Sequence, residues 1–189
     1  MIDGAAQYQE GSSQLKAWLS SFSCQKDKDI EDFLRDRAIM FETIHKSRTY
    51  FILDEALLRA EGRIQILGFF TVSLKVLDIP EVTSKRKRLA LDGFSSKIHG
   101  EPIKSIPCYL IGQLAKNSAA ENAVDGDVLL NGAISVIKSA MEDVGGRFVL
   151  IECRDHPRLR KFYTDNGFEE FETIPYENTP MVQMIRPLY

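Results

Sequence analysis

The sequence predicts a mixed α/β fold, with a central, mostly antiparallel sheet and one parallel strand pair. Three observations carry this. Residues 70–76 alternate, with Phe70, Val72, Leu74 and Val76 on one side and Thr71, Ser73 and Lys75 on the other, which is the period of a strand with one buried face. Two runs, "IPCYLIGQLA" (106–115) and "RFVLIE" (147–152), are apolar on both faces, as central strands are. Between them Leu130, Ile134, Ile137, Met141 and Val144 recur at helical spacing. A helix joining two strands of one sheet makes them parallel.

The remaining elements follow in order. Residues 1–12 are polar and expected to be loose. Residues 28–45 place Ile30, Phe33, Leu34, Ala38, Phe41 and Ile44 on one helical face, with Asp27 or Asp29 able to cap its start. "RTYFIL" (48–53) reads as a strand, followed by a turn at "AEGR". Pro80 stops the alternating strand, and residues 81–104 form the longest candidate loop, with room for a short helix. Gly112 suggests a bulge or a close backbone approach. The long helix from Val128 to Val144 ends at Gly145 and Gly146. A second helix runs from Pro157, suited to the first helical position, to Asn166, with Gly167 supplying the left-handed stop. "FEEFETI" and "MVQMIRPL" read as a final strand pair.

Composition sets the outer bounds. A chain of 189 residues with 44% hydrophobic and 27% charged residues is expected to form one soluble domain, residues 1–189. Its net charge of −3 argues against a wholly electrostatic nucleic-acid binder. No run approaches the ~18 apolar residues of a membrane span, and the first residues do not read as a secretory signal. Cys24, Cys108 and Cys153 are odd in number and far apart, so free buried thiols and a cytoplasmic location are expected.

The chemistry-bearing features are few. Parallel strands that separate at their C-terminal ends leave a crevice suited to ligands. The loop at 116–127 leaves the first such strand and enters the long helix, whose first amides can hold a phosphate, and Gly126 permits close approach. The same residues also read as simple capping by Asp125 or Asp127. Tyr163, four residues before Gly167, reads as a core residue with its hydroxyl bonded to backbone. His45, His99 and His156 are singletons, and no spacing suggests a metal site or a serine triad. Lys85–Arg88 is either a solvated run or a contact for an anion such as tRNA phosphate, with Arg154, Arg158, Arg160 and Lys161 as a second basic cluster.

Three stretches together resemble the GCN5-related N-acetyltransferase (GNAT) superfamily. "YLIGQLAKN" followed by "ENAVDGDVLLNGA" is similar to the family's strand, Q/R-x-x-G-x-G/A loop and helix. "RFVLIECRDHPRLRKFYTDNGFEEF" matches the strand and the helix ending in aromatic-Tyr, then three residues and Gly-Phe. "LGFFTVSL" resembles the strand before that core. The resemblance covers residues 24–186, and within the superfamily it looks closest to bacterial toxins that acetylate tRNA. In the loop register this chain carries Glu121, Val124 and Gly126, and His156 stands where the family often has Asn.

The resemblance implies a strand pair splayed around acetyl-CoA, helices on both sheet faces, and no metal. It implies that an acceptor amine attacks the thioester directly in a ternary complex. Tyr163 would be the acid that protonates the leaving thiolate. Leu114, Ala115 and Lys116 would meet the pantetheine arm and acetyl carbonyl. Asn122, Ala123, Val124, Asp125, Gly126, Asp127 and Val128 would hold the pyrophosphate on backbone amides, and His156 would donate a hydrogen bond. Implied partners are an amine acceptor (small molecule, protein or aminoacyl-tRNA) and a second copy of the chain, with no membrane. The rival implication is a GNAT-fold module that binds a partner without catalysis.

Overall fold

The computed structural model describes residues 13–120, 124–176 and 179–189. The expectation for residues 1–12 lies outside them. A helix over residues 13–20 (α1) leads to α2 (Lys28–Asp32), a π-helical turn (Phe33–Arg37) and α3 (Ala38–Thr43). Asp27 caps α2, its side chain accepting the Asp29 N–H. Strand β1 is Arg48–Leu53, as its apolar run predicts.

The turn expected at "AEGR" is instead the end of a helix, α4 (Glu55–Glu61). Asp54 caps it by accepting the Leu57 N–H at 3.0 Å, and Gly62 ends it at φ 67°. Seven residues whose only large apolar side chains are the adjacent Leu57 and Leu58 give too little periodicity for sequence reading to find it.

Strand β2 is Ile66–Asp78, and the loop expected at 81–104 contains α5 (Lys85–Asp92) and a hairpin of β3 (Lys97–Ile98) and β4 (Glu101–Pro102). Strand β5 (Ser105–Lys116) is followed by α6 (Gly126–Val144), β6 (Phe148–Arg154), α7 (Pro157–Asp165), β7 (Glu169–Ile174) and β8 (Met181–Pro187). The order in the six-stranded sheet is β1-β2-β5-β6-β8-β7. The β1–β2, β6–β8 and β7–β8 pairs are antiparallel. The neighbours β5 and β6, joined through α6, form the parallel pair.

The chain forms two compact units. The first holds residues up to Ser73 and Ile111–Val136. Its core joins Leu19, Phe22, Phe33, Leu34 and Ala38 from the N-terminal helices to Ile66, Phe69 and Ala115 from the strands. Phe70 points to the other face, where Gly132 of α6 would place a Cβ 3.0 Å from its ring. Helices therefore flank both faces of the sheet in this unit. The second unit holds Leu74–Leu110 and Ile137–Tyr189, with Leu77, Leu91, Ile103, Ile106, Cys108, Leu150 and Ile185 in its core.

The alternation in β2 holds, but the expected buried row does not. Leu74 and Val76 are 75% and 60% exposed, whereas Leu77 is buried. The covered face changes along the strand, and periodicity alone cannot say how far a covering helix extends. Val144, expected on the buried face of α6, is likewise exposed on its last turn.

Candidate active site

In the first unit, the end of β5 presents half-buried Leu114, buried Ala115 and exposed Lys116. A methyl at Gly68 would stand 2.9 Å from both the Ala115 carbonyl oxygen and a Leu129 methyl. The missing side chain is what lets α6 start this close to β2 and β5.

The chain leaves β5 under tight control. Asn117 is buried, and its Nδ2 donates to the Ile66 carbonyl at 2.7 Å. Its Oδ1 accepts the N–H groups of Ser23 (3.0 Å) and Ala119 (2.9 Å), and its own N–H donates to the Leu67 carbonyl at 2.8 Å. Ser118 adds two bonds to the same N-terminal segment: its N–H to the Ser23 carbonyl and its Oγ from the Gln25 N–H. Sequence reading missed Asn117. A lone Asn after a strand reads as a turn residue, and its partners Ile66 and Ser23 are distant in the chain.

Asn122 and Ala123 lie outside the described residues. Val124 is buried, while Asp125, Asp127 and Val128 are exposed and Gly126 is half-buried. The Asp125 carbonyl accepts the Val128 and Leu129 N–H groups at 3.2 and 3.4 Å, so Asp125 opens α6. The Gly126 and Asp127 amides come before the first of these bonds, at a half-buried glycine.

In the second unit, His156 caps α7, its Nδ1 accepting the Arg158 N–H at 3.2 Å. With Nδ1 committed as acceptor, any hydrogen bond donated by the neutral ring must come from Nε2. Pro157 takes the first helical position and Gly167 sits at φ 79°, as expected. The Phe168 N–H closes the turn onto the Tyr163 carbonyl at 3.0 Å.

Tyr163 is 7% exposed and more deeply placed than its half-buried neighbour Phe162. Its ring lies edge-on to Phe162 and Phe168, with centroids 5.0 and 5.7 Å away. Burial pushes the phenol well above its usual range, with the nearby Cys153 thiol adding to the rise. The hydroxyl is not among the sealed polar atoms left without a partner, which among the described residues are Ser47 Oγ, Thr49 Oγ1 and Arg147 Nε.

The basic clusters are reduced by the structure. Arg88 is buried and donates to the carbonyls of Thr83, Ile103, Pro80 and Glu81, so it staples the start of α5 rather than facing an anion. Lys87 lies over the Phe171 ring, 5.0 Å from its centre. Arg160 is held by Asp155 and Glu170, and Lys161 by Asp165. Lys85, Arg86 and Arg158 remain exposed. His45 and His99 occupy left-handed turn positions at φ 57° and 50°. Among the described residues no group of three or more His, Cys, Asp or Glu is placed to hold a metal, and no helix is long and apolar enough to cross a membrane.

No protein-family model and no curated relative matches the chain. Solved structures do. A tyrosine-to-phenylalanine mutant of KacT matches with TM-score 0.66 and 17% identity, covering 90% of this chain and 87% of that one. AtaTR bound with acetyl-CoA matches with TM-score 0.64 and 23% identity, covering 90% and 86%. AtaT complexed with acetyl-methionyl-tRNAfMet matches with TM-score 0.62 and 21% identity, covering 87% and 85%. At these identities the likeness lies in the backbone, and it agrees with the parallel pair in an otherwise antiparallel sheet: the chain has the GCN5-related N-acetyltransferase fold.

Proposed function

We propose that this chain is an acetyl-CoA-dependent N-acetyltransferase that acetylates a primary amine by direct attack in a ternary complex. The observation that carries the reading is Tyr163: a buried phenol kept neutral by its surroundings, in a fold shared over 90% of the chain with a structure that holds acetyl-CoA. A neutral phenol can give its proton to the thiolate that leaves when the tetrahedral adduct collapses. The residues at the start of α6 fit a diphosphate. Their amides begin at Gly126, Val124 is buried, and Asp125 and Asp127 are exposed residues, where water and salt weaken their repulsion of an anion. Leu114, Ala115 and Lys116 would supply backbone to the pantetheine arm. The three buried free thiols fit a reducing compartment.

A second, narrower reading takes the amino group of an aminoacyl-tRNA as acceptor. It is favoured by the match to AtaT complexed with acetyl-methionyl-tRNAfMet and by the exposed Lys85, Arg86 and Arg158. Calorimetric titration with acetyl-CoA, followed by CoA-thiol release in the presence of methionyl-tRNA, tests both. No acetyl-CoA binding at millimolar ligand would leave a non-catalytic binding module. Binding with thiol release only from other amines would keep the enzyme and remove the tRNA acceptor.

A further inference from the structure

One face of the sheet in the second unit changes character along its strands. Leu77, Leu150 and Ile185 belong to the apolar core. Two residues along each strand, on the same face by alternation, stand Lys75, Glu152 and Gln183. Glu152 and Gln183 are direct partners across the β6–β8 ladder. Gln183 Nε2 donates to Glu152 Oε1 at 2.8 Å, and Lys75 Nζ donates to Oε1 at 2.7 Å and to Oε2 at 2.6 Å. Because β5 lies between β2 and β6, the lysine reaches across a whole strand to do so.

The three groups are not equally fixed. Gln183 is 7% exposed, whereas the side chains of Glu152 and Lys75 are 20% and 38% exposed. The carboxylate is oriented from inside by an amide and closed from outside by the loosest member, a cation on a flexible stem. Apolar residues would continue the core here without desolvating two charges. Glu152 also lies two residues before the C-terminal end of β6, and the ends of parallel strands are where open α/β sheets take ligands.

Resting on the acetyltransferase reading, we propose that Glu152, oriented by Gln183, is the subsite for the acceptor's ammonium, which displaces Lys75 and gives its proton to the Glu152 carboxylate. Lys75 already shows that a primary ammonium on an unbranched carbon fits this place, with donors to both carboxylate oxygens. Cys153, the next residue of β6, faces the other side of the strand, the side of Tyr163. The amine would then arrive on one face of β6 while the thiol leaves on the other. The protons balance. One passes from the ammonium to Glu152 and on to water. The freed amine forms the C–N bond, and the C–S bond breaks. The second proton, lost by the adduct nitrogen, replaces the one that Tyr163 gives to the thiolate.

The test is a calorimetric titration of the wild type, Glu152→Gln and Lys75→Met with n-butylamine, whose ammonium sits on an unbranched carbon and is charged at about pH 7. Urea melts confirm the fold of each protein. Lys75→Met removes the resident competitor and should bind roughly threefold or more tightly than wild type. Glu152→Gln should bind roughly tenfold or more weakly. Equal affinity in all three, no binding by wild type and Lys75→Met, or weaker binding by Lys75→Met overturns the proposal. Should Glu152→Gln not fold, Lys75→Met against wild type still decides it. Acetyl-CoA titration of the same samples separates the two readings. Acetyl-CoA binding without an ammonium response sinks the subsite alone. An ammonium response without acetyl-CoA binding sinks the enzyme and leaves the cation site.

Discussion

The Asn117 side chain donates to the Ile66 carbonyl at 2.7 Å while accepting the Ser23 N–H at 3.0 Å, so one residue ties the exit of β5 to β2 and to the N-terminal helices. Asn117→Ala leaves a buried carbonyl and two N–H groups without partners. The expected loss of stability is about 1–3 kcal/mol for the buried Ile66 carbonyl, and less for the two part-buried N–H groups that water can reach. Urea denaturation measures it. Because the same residue sets where the loop toward α6 begins, acetyl-CoA affinity should fall as well. Unchanged stability would show that water replaces the side chain without penalty.

Tyr163→Phe keeps the ring and removes only the hydroxyl. If the phenol protonates the departing thiolate, turnover should drop roughly 10²- to 10⁴-fold with little change in acetyl-CoA affinity. Its raised pKa also fixes the pH behaviour. The neutral form persists through the ordinary titration range of a tyrosine, so the wild type should show no loss of rate from ionisation of Tyr163 up to about pH 10. Steady-state CoA release across pH reads both.

Glu31 is buried and accepts from Lys28 Nζ, the Cys24 N–H and Ser23 Oγ, with Arg35 beside it. These partners, Lys28 foremost, hold its carboxyl down to about 2 against an ordinary 4.5. The folded state therefore binds this proton more weakly than the unfolded chain. The stabilisation is complete above the ordinary value and is lost as pH falls from about 4.5 to about 2. Thermal melts should show that slope, and Glu31→Gln should flatten it.

Arg88 and its neighbours Lys85 and Arg86 should separate cleanly. Arg88→Met takes one donor from each of four backbone carbonyls, Pro80 keeping the Thr83 N–H, and should cost about 2–4 kcal/mol in urea denaturation. Lys85→Glu with Arg86→Glu should leave stability within about 0.5 kcal/mol. If the tRNA acceptor reading holds, that pair should weaken tRNA binding and flatten its salt dependence. Fluorescence anisotropy at two salt concentrations gives the comparison.

Much of the fold was legible because its signals are local. Arg48–Leu53 is a strand with the bounds its apolar run predicts, and Pro157 and Gly167 bracket α7 as their backbone preferences require. The resemblance carried by Tyr163, Gly167 and Phe168 led to the fold that the solved structures share. What escaped depends on partners remote in sequence. Arg88 looks like one more charge in "SKRKR" until Ile103 and Pro80 supply carbonyls for it. Glu152 looks like the polar end of a strand until Lys75, 77 residues earlier, is found on the same face. Leu74 and Val76 alternate correctly, yet the face they occupy has lost its cover by that point in β2.

Cys24, Cys108 and Cys153 are all free and all buried, and burial raises each thiol, Cys108 and Cys153 to about 11. Thiolate, not thiol, attacks alkylating reagents. The intact molecule should therefore ignore iodoacetamide, and each sulfur should react only when its surroundings open. Cys24 lies in the first compact unit and the other two in the second. Nature has thus installed three silent clocks, and mass spectrometry of alkylated peptides would time the breathing of each half separately.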